Sequence, residues 1–283
     1  MRYCGRDFTS AEIRWIGEQI ASESTLNRHR LSRRFCRTYG WLKPDGGLKD
    51  MSCRVAFLRM EKDGHIVLPA PQKPYHKPGH RMKRTCLTDP GPGVRKKASS
   101  FDLCCDVVEA SSTRLWNEYI DRYHYLGYTA LPGAQLRYIV RDEGKVIALL
   151  GFGAAAWKVA PRDDYIGWTS QQREKNLHLV VNNARFLILP WITSPNLASR
   201  ILSMAGKRLA FDWERVYHYR PVLLETFVQK DRFRGTCYKA TNWTCVGETT
   251  GRGKLNRTNR QEKPVKSIWL FPLEKSYRRK LCA

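Results

Sequence analysis

The sequence is short of acid. Its 283 residues carry 26 Asp and Glu against 50 Lys and Arg, a formal net charge of +24. An imbalance of that size attracts polyanions over a long range. Nucleic acid fits, because each phosphate contact releases a counterion. Also missing are an apolar run long enough to span a bilayer, a basic amphipathic helix and a lipid anchor. An anionic membrane is therefore not the expected partner. The opening MRYCGRDF has no apolar leader, so the expected location is cytoplasmic and the nine cysteines are expected as thiols. No CxxC pair occurs, and no structural zinc site is signalled. The nearest cluster is His76, His80 and Cys86, in a Pro- and Lys-rich stretch. There is no relaxase-type His-hydrophobe-His. No PD…(D/E)xK nuclease pattern appears, since Asp163 and Asp164 precede Glu174-Lys175 without the needed spacing. Neither a Walker A nor a GxGxxG loop is present, and there is no internal repeat. Hydrophobic residues make up 42%, enough for a core and against global disorder.

The positive excess is uneven. Residues 1–100 hold 21 basic and 9 acidic side chains, residues 101–246 hold 19 and 14, and residues 247–283 hold 10 and 3. Both ends are phosphate-facing candidates around an ordinary core. The expected organisation is a DNA-binding module over 1–70, a basic linker over 71–100 rich in Pro and Gly, and an α/β domain over 101–283.

In the first module, Thr9 to Glu12 is a capping-box pattern, followed by Ile13, Ile16 and Ile20 at helical spacing. Asn27 can cap a second helix with Leu31 and Phe35, ended by Gly40. After the turn at Pro44–Gly47, a third helix from about Leu48 has Met51, Val55 and Leu58 on one face. His65–Leu68 reads as a short strand closed by Pro69. Helix, helix, turn, helix, strand is the order of a winged helix-turn-helix. Arg30, Arg33 and Arg34 on the second helix, with Lys49 and Arg54 at the third, suit a major groove. The competing reading is a helical protein-docking domain with a solvated basic face.

In the second domain, Ser112 can cap a helix carrying Trp116, Tyr119 and Ile120. Gln135–Val140 and Val146–Phe152 read as strands around an Asp142-Glu143-Gly144 hairpin turn. Leu177–Val181, Ala184–Leu189, Val222–Val228, Thr244–Gly247 and Ile268–Phe271 are further strands of a mixed sheet. Ser194-Pro195 reads as the start of a helix through Leu209. The fold class expected is α+β.

Three clusters carry chemistry. His124 and Tyr125, with Tyr128 beyond Gly127, end the Trp116 helix. His is an acid, base or ligand near neutral pH, and Tyr rings stack on unpaired bases. The plain alternative is a packed aromatic corner. The second cluster is Glu225, Asp231 and the run to Tyr238, Asn242 and Trp243. A carboxylate such as Glu225 in an apolar strand is costly unless paired or functional. A buried ion pair, for instance to Arg185, is the alternative. The third is Gly247–Lys254, where Arg252 and Lys254 join glycines in a loop suited to phosphate backbone.

The strings RYHYLGY, NARFLILPW, PVLLETFV and FRGTCYKATNW resemble the bacterial family that includes the A subunit of the Druantia anti-phage system. The front strings LSRRFC and HIVLP resemble its N-terminal module. The resemblance implies phage defence or mobile-element biology, with DNA as target and with other subunits of a defence system or a transposase as partners. A weaker resemblance is to the Gcn5-related N-acetyltransferases, among them the phage Mom proteins that modify adenine in DNA. It places His124, Tyr125 and Gly127 on one family string and Tyr238, Ala240 and Asn242 on another. Gln229 stands where the Druantia-like pattern has Asp. Pro195 removes a backbone donor from the turn that would grip pyrophosphate, so acyl-CoA is not the expected cofactor. The leading expectation is an effector that binds DNA and processes or modifies a nucleotide. Tyr125, Tyr128 and Trp243 would stack on an extruded base, and His124, oriented by Glu225, would act as acid and base. The alternatives are a non-catalytic recognition or assembly subunit, and a nuclease or strand-transfer protein with a divalent metal held by Glu225, Asp231 and Asp212.

Overall fold

The computed structural model describes residues 1–72, 84–251 and 263–283. The chain divides into two compact units, Met1–His80 and Arg81–Ala283.

The first unit opens with a hairpin of β1 (Arg2–Tyr3) and β2 (Arg6–Asp7). Helices α1 (Ser10–Ser22), α2 (Arg28–Thr38) and α3 (Asp50–Lys62) follow. The caps are those expected. Thr9 accepts from the Glu12 N–H at 3.2 Å and Glu12 from the Thr9 N–H at 2.8 Å. Asn27 accepts from the Arg30 N–H at 2.8 Å. Ile16, Leu31, Phe35, Phe57 and Met60 form the core. Met51, Val55 and Leu58 lie on the exposed side of α3, while Cys53, Ala56, Phe57 and Met60 face inward. The Arg6 guanidinium lies 4.8–5.7 Å from the rings of Phe8, Phe35, Tyr39 and Trp41 and 2.5 Å from Glu12.

Residues 65–70 form no strand, so the wing expected at His65–Leu68 is not built. The alternation was real: Ile66 and Leu68 are buried and Val67 is exposed. Among the described residues the segment pairs with no strand. Its Leu68 N–H goes to the Glu61 carboxylate at 2.9 Å, and the Pro69 carbonyl accepts from Arg28 at 2.6 Å.

The second unit is α+β. Its described residues run through β3 (Val94–Arg95), β4 (Leu103–Val107), α4 (Thr113–Tyr123), β5 (Gln135–Asp142), β6 (Lys145–Ala154), α5 (Ala160–Ile166), α6 (Ser170–Asn176) and β7 (Val180–Ile188). They continue with β8 (Ile192–Thr193), α7 (Leu197–Tyr217), β9 (Leu223–Gln229), α8 (Thr236–Lys239), β10 (Thr244–Glu248), β11 (Lys266–Pro272) and α9 (Tyr277–Leu281). Seven strands join in the order β10-β11-β9-β7-β6-β5-β4. All neighbours are antiparallel except β7 and β9, which are parallel. Glu143 and Gly144 both have positive φ, the geometry of the tight hairpin turn read from the sequence. Helix α7 packs its Ile201, Ala205, Leu209 and Trp213 into the main core. It starts at Leu197 with Asn196 in the cap position at φ +62°, rather than at Ser194-Pro195.

Residues 84–100, expected as linker, belong to this unit. Glu118 of α4 is buried and accepts from the Thr85 backbone and hydroxyl and from the Thr88 hydroxyl at 2.7 Å. Tyr123 donates to the Thr88 carbonyl at 2.7 Å, and Arg122 pairs with Asp89 at 2.6 Å. Val94–Arg95 pairs with β8. No helix is long and apolar enough to cross a membrane among the described residues.

Candidate functional site

The parallel strands β7 and β9 pair over only three positions, ending at Asn182 opposite Glu225. Beyond that point β7 stays with β6 and β9 stays with β11. A cavity of about 920 Å³ opens where they part, lined by residues 182–188 of β7 and 226–228 of β9. The β6–β7 ladder shifts register here, because Gly151 faces Arg185 and Phe152 faces Asn183. Ala184 is thus the extra residue of a bulge, a device that re-aims side chains and breaks pairing.

Four other segments close the cavity: Tyr123–Leu126 at the end of α4, Pro190 just after β7, Arg232–Tyr238 leading into α8, and Lys266 at the start of β11. Helix α4 stops at His124 because Gly127, at φ +61°, turns the chain and donates to the His124 carbonyl at 2.8 Å. Helix α8 starts from Gly235 at φ +70°, where a Cβ would sit 2.8 Å from the Trp269 ring. Only glycine fits that backbone and that space.

The charge of the lining is one-sided. Arg185, Arg232, Arg234 and Lys266 line the cavity, and no Asp or Glu does so among the described residues. Arg185 donates to the Ala184 carbonyl and to the Thr129 hydroxyl, each at 2.8 Å, and leaves its Nε without a partner. Burial lowers the Arg185 pKa. Burial first, then Lys263 and Arg185, lower that of Lys266. The Arg232 guanidinium lies 4.8 Å from the Tyr125 ring centroid, with Phe233 5.3 Å from the same ring. Unneutralised cations in a half-desolvated space make a site for an anion.

His124 is buried, and its Nδ1 accepts from the Leu126 N–H at 3.2 Å. That bond leaves the ring proton of the neutral imidazole on Nε2. Burial, then Arg185 and Arg232, push its pKa down to about 4. At neutral pH His124 is an uncharged hydrogen-bond donor with its acceptor nitrogen occupied. Tyr238 donates to Asn183 Oδ1 at 2.9 Å, and burial holds its phenol protonated.

The structure brings together His124, Tyr125 and Tyr238. It does not bring Glu225 to them. On β9, Leu223 and Glu225 face the opposite side from Thr226 and Val228. Glu225 is fully buried against Arg162, 2.8 Å away, and accepts from the Ala156 N–H at 2.8 Å. It neither orients His124 nor pairs with Arg185. Arg162 also meets Asp163 at 2.8 Å, and Asp163 meets Arg173 at 3.3 Å. The carboxylates expected to hold a metal pair are likewise apart in their bonding. Asp212 accepts from Arg208 at 2.8 Å and Tyr138 at 2.9 Å, while exposed Asp231 accepts from Gln229 at 3.2 Å. Among the described residues no group of three or more His, Cys, Asp or Glu is placed to share a metal ion. Cys86 is exposed and without a disulfide; His76 and His80 lie outside the described residues.

Tyr128 does not line this cavity; its N–H meets Asp121 at 3.4 Å. Asn242 and Trp243 line a second cavity of about 890 Å³. Arg252 and Lys254 lie outside the described residues. In the first unit Arg34 pairs with Glu23 at 2.9 Å and Arg54 with Asp50 at 3.5 Å. Arg30, Arg33 and Lys49 have no ion pair among the described residues; Arg30 is exposed and the other two are half-buried. Sequence reading missed Arg232, Arg234 and Lys266. The signal was the Arg-aromatic-Arg of residues 232–234, which overlaps the start of the string FRGTCYKATNW.

Residues 70–279 match the family model described as Druantia protein DruA. The chain belongs to the DruA family. No curated protein matches it. Among solved structures, the DruA-family chain is similar to the Drosophila melanogaster polyamine N-acetyltransferase, with 11% identity and a TM-score of 0.39 over 60% of this chain and 100% of that one. It is similar to the Escherichia coli ribosomal-protein-S18-alanine N-acetyltransferase, with 11% identity and a TM-score of 0.37 over 61% and 94%. A third likeness is to FeeM, an N-acyl amino acid synthase from uncultured soil microbes, with 12% identity and a TM-score of 0.39 over 62% and 93%.

Proposed function

We propose that this DruA-family chain is a DNA-binding component of a Druantia anti-phage defence system, and that the β7–β9 cavity holds a strand of DNA by phosphate and base. The carrying observation is the lining itself: four cations, two aromatic rings beside them in Tyr125 and Phe233, and no carboxylate among the described residues. Cations take phosphate, and rings take an unstacked base. Arg30, Arg33 and Lys49 of the first unit support a second DNA contact. The splayed parallel pair behind the β5–β6 hairpin and α4 supports the acetyltransferase-like reading of the larger unit. Other subunits of the defence system are the partners this reading implies.

The cavity favours recognition over strand cleavage. Glu225 and Asp212 are engaged elsewhere, and His124 has its acceptor nitrogen filled. Modification of a base is the second reading. It rests on the cavity's volume, at the upper end of the range for small-molecule sites, and on Tyr238 and His124 in its wall.

Fluorescence anisotropy with a labelled 20-nucleotide strand, titrated at rising salt, tests the proposal. Affinity should fall steeply with salt, and Arg232→Glu with Arg234→Glu should weaken binding at least tenfold. Absence of binding at 50 mM salt, or indifference to salt, sinks it. Mass spectrometry of nucleosides from cells expressing the protein decides the second reading by the presence or absence of a new base.

A further inference from the structure

The second cavity is built as a counterpart to the first. Its floor is one face of α7, where Ser199, Ser203, Gly206 and Ala210 recur at helical spacing. These side chains leave room for close approach, and the exposed Ser203 offers a hydroxyl donor, while that of Ser199 goes to the Asn196 carbonyl at 2.9 Å. Arg200 and Lys207 supply charge, Arg220 being paired with Glu214 at 3.0 Å, and again no Asp or Glu lines the cavity among the described residues. Lys207 is exposed and has no ion pair among the described residues. The far wall is Ala240–Trp243 with Phe271, whose ring stacks on Trp243 at 5.6 Å and 27°.

The two cavities are neighbours along the chain. Gly235–Tyr238 lines the first and Ala240–Trp243 lines the second, so one turn of helix, α8, separates them. Two residues of helix advance only about 3 Å. Two linings that hold cations and no carboxylate among the described residues thus lie on either side of α8.

We infer that the α7–α8 cavity is a second phosphate track, and that a single strand of DNA held in the β7–β9 cavity continues over α8 into it. The inference rests on the cavity reading above and extends it to a site of several nucleotides. A single strand is favoured because both cavities have aromatic walls, and a duplex keeps its bases stacked on one another.

The test uses labelled oligothymidines of 3, 6, 9 and 12 nucleotides with the full chain and with Ser203→Glu and Lys207→Glu. Both residues are exposed, so the variants should keep the wild-type circular dichroism and melting temperature. Affinity should rise at least tenfold from the shortest to the longest strand, and the salt slope should steepen by about 0.7 per added phosphate contact. Each variant should lose at least fivefold on the 12-mer and less than twofold on the 3-mer. A plateau already at the 3-mer, with both variants equal to wild type, overturns the second track; Arg232→Glu would still weaken the 3-mer if the first cavity binds DNA. Coenzyme A that displaces no strand from wild type but binds less well to the variants also overturns it. No binding at any length removes both readings together.

Discussion

Arg162 holds Glu225 at 2.8 Å, and both side chains are completely withdrawn from solvent. One residue of an apolar strand thereby fixes the loop after β6, since Glu225 also accepts from the Ala156 N–H and Arg162 donates to the Ala156 carbonyl at 2.7 Å. A buried pair of this kind is dangerous to break, because the survivor keeps its desolvation cost. Arg162→Ala should destabilise the larger unit by about 3–5 kcal/mol, read from the urea midpoint. Glu225→Gln should cost less and leave DNA affinity within twofold, because Glu225 is not on the cavity. A wild-type midpoint for Arg162→Ala would show that the pair contributes nothing.

Tyr125 lines the cavity, with the Arg232 guanidinium 4.8 Å from its ring centroid and the Phe233 ring at 5.3 Å. Under the proposed function, Tyr125→Ala should weaken single-strand binding by about 1–3 kcal/mol, the range for loss of one stacked base. Tyr125→Phe keeps the ring and should stay within twofold. Equal losses for both variants in anisotropy would point to the hydroxyl and count against stacking.

Gly235 has a backbone that side chains avoid and a neighbour that leaves no space, the Trp269 ring. Gly235→Ala must move one or the other. The expected cost is about 1–3 kcal/mol, that of overpacking, and thermal unfolding measures it. A variant as stable as wild type would mean that the α8 turn shifts freely.

His124 gives a pH signature. Its folded pKa is depressed to about 4, below the ordinary value of about 6.5. Between those values the unfolded chain binds the proton and the folded chain refuses it. The contribution to stability is therefore present above pH 6.5 and lost as pH falls towards 4. His124→Asn keeps an acceptor for the Leu126 N–H and cannot titrate. Stability of wild type minus variant should fall across that window in urea titrations. A flat or rising difference contradicts the burial of an uncharged ring.

Much of the fold was legible where local chemistry suffices. The Thr9–Glu12 box, the Asn27 cap, the Asp142–Gly144 turn and the apolar run of β6 each follow from residues within a few positions. The candidate site was half legible. His124, Tyr125 and Tyr238 do meet, but Glu225 points to the other face of the sheet, Arg185 was read only as a possible partner for Glu225, and Arg232 and Lys266 were not singled out. The Pro- and Lys-rich stretch before Phe101 looked like a linker because its partner, Glu118, is about thirty residues away in the chain.

The sequence by itself determined the charge surplus, the family, the helix caps and the tight hairpin, since each depends on composition or on near neighbours. Only the tertiary structure decided which buried carboxylate met which arginine, and that β7 and β9 part to open a cavity lined with cations. Pairing between distant strands and the choice of sheet face are settled by which segments pack together, and no local pattern encodes that.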